Sequence, residues 1–165
     1  MEQQYDTGLV YAQTSFTIEP YDDVKTVYDK VAEGGQQVMR DHIEDWANGR
    51  LEGYNQDNTK ATHYKRRRPK DGLFDFSQHA SSIYNQIRGQ ARPYPGAFFM
   101  HDGKKVTVWR AAYDPTQTTD KPEGSVIGTC TDGGALLACG EGSVIKLLRV
   151  QIAGQAETWA VTALA

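Results

Sequence analysis

The second half of the chain has short runs of apolar, β-branched and aromatic residues in place of a helical period. Asp102-Gly103, Asp132-Gly-Gly134 and Gly140-Glu-Gly142 separate several of these runs, and such Gly-containing pairs are typical of hairpin turns. Five or six short strands in about 70 residues predict a small antiparallel barrel. The predicted strands are residues 97–100, 104–113, 125–129, 135–139 and 143–152.

The first half has a different pattern, a strand followed by a long amphipathic helix. Residues 9–18 are rich in β-branched and aromatic residues, and Glu19-Pro20 marks a turn after them. A helix is predicted from Asp22-Asp23 to a stop at Asn48-Gly49, with apolar residues at helical spacing between them. The strand has no sheet partner before residue 60, and a lone strand cannot satisfy its backbone hydrogen bonds. The two elements therefore resemble an incomplete α/β layer.

A polar, aperiodic stretch over residues 54–75 follows and is predicted to be a linker. After it, Ser77 is a candidate N-cap for a short helix that carries Ile83 and Ile87 and ends at Gly89. The expected fold class is thus α+β, with one helix beside the C-terminal barrel. The expected N-terminal segment, linker and C-terminal domain are residues 1–53, 54–75 and 76–165.

The composition is that of a folded, soluble protein with reduced cysteines. Hydrophobic residues make up 39% of the chain and charged residues 24%, whereas a disordered chain would hold fewer apolar side chains. No apolar run reaches the ~18–20 residues that a membrane helix needs, and the acidic start does not resemble a signal peptide. A cytoplasmic location is therefore expected. Cys130 and Cys139 are expected to be small apolar residues on strands rather than a disulfide.

The net charge of -3 is unevenly distributed, with a basic strip between acidic or neutral regions. Residues 1–59 carry four Lys or Arg against twelve Asp or Glu, whereas residues 60–70 carry six basic residues and no acid. Clustered cations attract phosphates, but a solvated linker whose arginines pair with acids of the flanking regions accounts for the strip as well. The strip consists of Lys60, Lys65, Arg66, Arg67, Arg68 and Lys70.

The histidines and one group of aromatic residues are further candidate sites. The four histidines lack Cys or carboxylate neighbours at ligand spacing, so no metal site is predicted. Four aromatic residues of the C-terminal half could stack bases, but such residues more often pack in a core or a hinge, and packing is favoured. The histidines are His42, His63, His79 and His101, and the aromatic residues are Tyr94, Phe98, Phe99 and Trp109.

Asp6 is the candidate catalytic residue. It stands in an Asp-Thr-Gly run on a loop that enters the first predicted strand. From the residues alone, Asp6 is either an Asx-turn residue that closes the loop before Gly8 or a carboxylate placed to accept a proton.

Six strings, in order along nearly the whole chain, resemble the 10-formyltetrahydrofolate-dependent formyltransferases that act on methionyl-tRNA or on amino sugars. No single string is specific, but six in register are hard to obtain by chance. The strings are Tyr5-Asp-Thr-Gly-Leu9, Arg66-Arg-Arg-Pro-Lys-Asp-Gly72 with Phe74-Asp-Phe76, Ile83-Tyr-Asn-Gln-Ile-Arg88, Pro93-Tyr-Pro-Gly-Ala-Phe98, Val106-Thr-Val-Trp109 and Ala138-Cys-Gly-Glu-Gly142.

The resemblance implies a Rossmann-like N-terminal domain that binds the folate and a C-terminal domain similar to an open OB-type barrel. Family members use an Asn, a His and an Asp to move a formyl group from 10-formyltetrahydrofolate to a primary amine. Of these three, only the Asp has a counterpart here, Asp6, because the other two belong to a strand and loop that would precede Met1. The chain is thus expected to be a fragment, inactive alone, with residues 1–53 as the remnant of the catalytic domain.

The resemblance also bears on the substrate. The linker, Pro-Gly-Ala-Phe and Val-Trp strings resemble the enzyme that formylates UDP-4-amino-4-deoxy-L-arabinose, so a UDP-amino sugar is expected. Initiator methionyl-tRNA is the alternative, and in either case Lys65, Arg66, Arg67 and Arg68 would contact phosphates. A third possibility is a non-catalytic OB-like module that binds a nucleic acid or a partner. The expected protein partners are a second copy of the chain or a complementing N-terminal half.

Overall fold

The computed structural model describes residues 6–164, and residues 1–5 and 165 lie outside the description. Most of the acidic start that argues against a signal peptide lies outside it as well. The described chain forms two compact units. Unit 1 contains residues 6–21 and Thr26–Arg66, and unit 2 contains Asp22–Lys25 and the residues from Arg67 onward.

The helix α1, Val24–Ala47, confirms the helix expected after Asp22-Asp23, and all of it from Thr26 onward lies in unit 1. At its C-terminal end the Asn48 side chain donates to the Glu44 carbonyl, and Gly49 has a left-handed φ of 66°. An Asn-Gly pair suits this position because glycine takes a positive φ without a steric penalty. No residue of α1 is buried, so its apolar positions at helical spacing remain partly or largely accessible within the described chain.

The strand predicted over residues 9–18 is not formed in the described chain, and that prediction is wrong. A single antiparallel bridge joins Val10 to Tyr54 through two backbone hydrogen bonds of 3.0 Å each. A strand is stable only beside a second strand that takes up its N–H and C=O groups. Among the described residues only Tyr54 pairs with this run, so the segment has no ladder and no regular secondary structure.

The described part of unit 2 contains an antiparallel sheet of six strands, two α-helices and a 3₁₀ helix at Pro69–Gly72. The strands are β1 Ala97–His101, β2 Lys104–Thr118, β3 Val126–Thr129, β4 Ala135–Ala138, β5 Ser143–Ile152 and β6 Thr158–Trp159, and the helices are α2 Ala80–Gly89 and α3 Ala160–Ala163. The strand order is β1-β2-β5-β4-β3, with β6 paired to β5. The five predicted strands are confirmed, most of them within a residue or two, although β2 continues to Thr118; β6 and α3 were not predicted.

The helix α2 begins three residues after the N-cap predicted at Ser77, and that prediction is wrong. His79 is the N-cap, and its ring Nδ1 accepts a hydrogen bond of 3.2 Å from the Ser81 N–H. The Gly140 N–H donates to the two carbonyls that flank Ser77. Residues 76–78 form a turn and a bend, and His79 forms a parallel bridge with Gly140, so the helix starts only after this contact.

The core of unit 2 lies between α2 and one face of the sheet. Ile83 and Ile87 of α2, Val106 and Val108 of β2, and Leu147 of β5 are each at most 2% exposed. Burial is concentrated in runs rather than in strict alternation, since residues 106–108 of β2 and residues 143–145 of β5 are all buried. Register shifts along β2 bend that strand.

Candidate functional site

The loop that carries Asp6 is fastened by a segment about fifty residues further along the chain. The Gln56 Nε2 donates to the Asp6 carbonyl at 3.1 Å and to the Gly8 carbonyl at 2.8 Å. The bridge between Val10 and Tyr54 joins the same two segments. Asp6 has a φ of 60°, a value that is uncommon for residues other than glycine and is enriched in Asn and Asp. The backbone conformation of the loop is therefore by itself a reason for an aspartate at this position, apart from any catalytic role of the carboxylate.

Asp6 lines a polar cleft of about 870 Å³ in unit 1. Asp57 also lines it, and its Oδ1 accepts from the Thr59 hydroxyl at 2.6 Å and from the Thr59 N–H at 3.0 Å. The hydroxyl contact is the main reason that the pKa of Asp57 lies below its usual range. Lys60 Nζ lies 3.4 Å from Asp57 Oδ2. The lining residues are Asp6, Thr7, Gln56, Asp57, Asn58, Lys60, Ala61, Thr62 and His63.

The lining groups of this cleft combine carboxylates, amides, an ammonium and an imidazole. Such a set can accept hydrogen bonds from a primary amine and take up a proton from it. Asp6 is exposed, so solutes reach its carboxylate. Gln56 was missed by the sequence analysis, because a glutamine in a polar linker carries no local signal of a contact so distant in sequence.

The predicted phosphate-binding residues are not among the residues that line the Asp6 cleft. Lys65 and Arg66 lie in unit 1 and are exposed. Arg67 and Arg68 lie in unit 2, where the Arg67 Nη1 donates to the Gly89 carbonyl at the end of α2 at 3.1 Å. Arg67 therefore has a structural contact of its own, while all four side chains are open to solvent.

A second, apolar groove of about 380 Å³ lies in unit 1. Residues 9–12 form one wall, and the C-terminal half of α1 forms most of the other. Five of its apolar side chains are well exposed, from 41% for Ile43 to 61% for Trp46. A contiguous apolar surface of this kind marks an interaction site in many soluble proteins. The groove is lined by Leu9, Val10, Tyr11, Ala12, Val38, Met39, His42, Ile43, Trp46 and Leu51.

The aromatic residues of unit 2 that were considered for base stacking have packing contacts. Phe99 is 4% exposed, and its ring centroid lies 5.6 Å from that of Phe74. The Trp109 Nε1 donates to the Gln151 side chain at 3.0 Å, and the Arg92 guanidinium lies 4.0 Å from a Trp109 ring centroid. The packing interpretation is therefore confirmed for Phe99, whereas Trp109 is only partly buried.

Three further features of the described chain are its possible metal ligands, its two thiols and the character of its helices. Within residues 6–164, no group of three or more His, Cys, Asp or Glu side chains could hold a metal ion. Cys130 and Cys139 are free, and burial raises the pKa of the Cys139 thiol to about 11, so this thiol is protonated at neutral pH. In the same range no helix has the length and apolar character needed to cross a bilayer.

Residues 67–163 match the family model described as formyl transferase, C-terminal domain. The matched span is more than half of the chain and includes α2, α3 and all six strands. It therefore includes most of unit 2.

Three solved structures resemble most or all of the chain. HypX from Aquifex aeolicus in complex with tetrahydrofolic acid has a TM-score of 0.73 at 17% identity, over 99% of this chain and 28% of that one. The N-formyltransferase from Helicobacter canadensis in complex with folinic acid and dTDP-3-aminofucose has a TM-score of 0.65 at 17% identity, over 89% and 52%. Methionyl-tRNA formyltransferase from Clostridium thermocellum has a TM-score of 0.54 at 19% identity, over 71% and 49%. The chain thus spans between 28% and 52% of these proteins, and the TM-scores show a common fold.

Proposed function

Because this chain belongs to the family of formyl transferase C-terminal domains, we propose that it is the C-terminal part of a 10-formyltetrahydrofolate-dependent formyltransferase. The reaction moves the formyl group from the folate to a primary amine, and we place it in the cytoplasm. The observation that carries the proposal is the family match over residues 67–163. The same chain contains the Asp6 loop, which hydrogen bonds from Gln56 hold beside a polar cleft.

In this proposal the open sheet of unit 2 is the OB-like C-terminal domain, residues 76–165. Residues 1–53 are the end of a Rossmann-like catalytic domain, and residues 54–75 are the linker. The accessible apolar face of α1 and the groove beside it support this assignment, since a helix of an α/β layer buries its apolar face against a sheet. We expect the remaining part of the catalytic domain, supplied as a complementing N-terminal half, to cover this face rather than a second copy of the chain.

Asp6 has the role of managing the proton that the attacking amine loses. The folate supplies the formyl carbon, and attack on it creates a tetrahedral oxyanion and an acidic ammonium. The Asp6 carboxylate accepts or relays the ammonium proton and orients the histidine that the family uses beside it. The cleft of about 870 Å³ fits a polar amine substrate, because carboxylates, amides and the Lys60 ammonium line it. Stabilisation of the oxyanion would come from the N-terminal half.

The amine substrate that we propose is a UDP-amino sugar, whose phosphates Lys65, Arg66, Arg67 and Arg68 would contact. The exposure of all four side chains supports this role, and a nucleotide amino sugar is bound to the neighbour from Helicobacter canadensis. Initiator methionyl-tRNA is the second candidate, since the same cations suit an acceptor stem and one neighbour is a methionyl-tRNA formyltransferase. Arg67 should contribute least, because its guanidinium already donates to the Gly89 carbonyl.

A complementation assay tests the proposal. The chain is incubated with 10-formyltetrahydrofolate and a UDP-amino sugar, with and without a separately expressed N-terminal half of a formyltransferase. We expect formyl transfer only with both halves, and no transfer by the chain alone. A parallel assay uses methionyl-tRNA, and salt-sensitive binding to tRNA without any sugar formylation would overturn the sugar assignment.

The variant Asp6→Asn should abolish transfer while the circular dichroism spectrum stays unchanged. Asp45→Asn is the matched control, because Asp45 is a surface acid of α1 that pairs with Arg50 at 2.7 Å and does not line the cleft. It should retain the wild-type rate. A wild-type rate in Asp6→Asn would remove Asp6 from the mechanism.

A further inference from the structure

One side-chain amide holds the backbone of the Asp6 loop at two points. The Gln56 Nε2 carries two N–H groups, and the acceptors are the Asp6 carbonyl at 3.1 Å and the Gly8 carbonyl at 2.8 Å. These carbonyls flank Thr7, so a single amide spans the whole turn. No other residue type of this size offers two N–H donors on one uncharged planar group.

The loop needs support of this kind. Asp6 has a positive φ of 60°, which is uncommon outside glycine even though Asp adopts it more readily than most residues, and hydrogen bonds to the loop help to hold it. The bridge between Val10 and Tyr54 fixes the chain after the loop. Gln56 is two residues after Tyr54, so the same segment contacts the loop at both of its ends.

We propose that Gln56 is a positioning residue for formyl transfer, which keeps the Asp6 carboxylate at its place in the cleft that both residues line. The inference rests on the proposed function, in which Asp6 manages the amine proton. Misplacement of a catalytic group by about 1 Å can lower a rate by about 100-fold. Loss of the two hydrogen bonds should therefore lower kcat, whereas the KM for the amine should change little.

The variant Gln56→Glu tests this step with little change of size. An ionised glutamate has no N–H group, and its oxygens repel the two carbonyls. In the complementation assay we expect kcat to fall by about 10- to 100-fold, with the KM for the amine within about twofold of wild type. Gln36→Glu is the control, since it makes the same charge change on an exposed position of α1 outside both cavities. It should leave both constants unchanged.

A second measurement follows the loop itself, in the chain without its complement. Backbone ¹⁵N relaxation should give Thr7 and Gly8 order parameters near 0.85 in the wild type, and below about 0.6 in Gln56→Glu. Order parameters that do not change, or a kcat that does not change while the loop loosens, would each overturn the inference. Absence of transfer by the wild-type halves would refute the proposed function instead, and the order parameters alone would then decide whether Gln56 holds the loop.

Discussion

Replacement of Ile83 by alanine should destabilise unit 2 by about 3–4 kcal/mol. Ile83 lies on α2 and is 0% exposed, in one buried cluster with Val108 and Leu147 of the sheet. The substitution removes three carbon atoms, and at about 0.8 kcal/mol per buried methylene the transfer term alone is about 2.4 kcal/mol. The cavity left in a close-packed core adds to this, within the range of about 2–5 kcal/mol for such truncations.

Urea unfolding measures the change if the signal comes from unit 2. The chain has tryptophans at positions 46, 109 and 159, so in a Trp46→Phe background the fluorescence reports only on Trp109 and Trp159, which both belong to unit 2. The free energy of unfolding should drop while the m-value stays constant. Ser82→Ala is the control on the exposed side of α2 and should change the free energy by no more than about 0.5 kcal/mol.

Two results would refute this reasoning. A loss below about 1 kcal/mol for Ile83→Ala would mean that α2 does not close the core of the sheet. Equal losses for Ile83→Ala and Ser82→Ala would mean that the stability of α2 arises from the helix alone rather than from the packing of one of its faces.

Three further predictions concern unit 2. Gly140→Ala should cost about 1–3 kcal/mol in the same urea assay, because a Cβ at this position would collide with the Ser77 carbonyl; an unchanged midpoint would contradict the contact. The hydrogen bond from Arg149 is the main reason that the pKa of Glu157 lies below its usual range. The unfolded chain therefore takes up the proton first as the pH falls, and stability should drop below the ordinary glutamate pKa. In thermal melts at a series of pH values, Glu157→Gln should reduce this loss of stability at acidic pH. At mildly alkaline pH an aromatic disulfide reagent should modify one thiol of the native chain, and it should modify the second, Cys139, only in urea. The reason is that burial raises the pKa of the Cys139 thiol to about 11. Rapid reaction of both thiols in the native chain would contradict the burial of Cys139.

The sequence predicted the elements whose signals are local. The five strands between residues 97 and 152 follow from short runs of apolar, β-branched and aromatic residues and from turns such as Asp102-Gly103, whose φ values of 48° and 73° suit an Asp followed by a Gly. The helix α1 follows from helical spacing and from the stop at Asn48-Gly49. In each case neighbouring residues determine the backbone, so no information from distant parts of the chain is needed.

The candidate site was only partly predictable. Asp6 was identified by resemblance, and the structure adds the cleft around it. The sequence did not identify Gln56, because its two hydrogen bonds reach residues 48 and 50 positions away and depend on how the chain folds back. Nor did it show that Arg67 donates to the end of α2.

Tertiary structure decided the elements whose stability depends on a distant partner. Residues 9–18 have the composition of a strand, but in the described chain only Tyr54 pairs with them, and composition cannot supply a ladder. The N-cap of α2 is His79 rather than Ser77, at the point where the chain contacts Gly140, a residue more than sixty positions further on. Thus the sequence by itself determined where the chain tends to be helical or extended, while the fold determined which backbone groups find partners, because pairing requires two segments and a propensity requires only one.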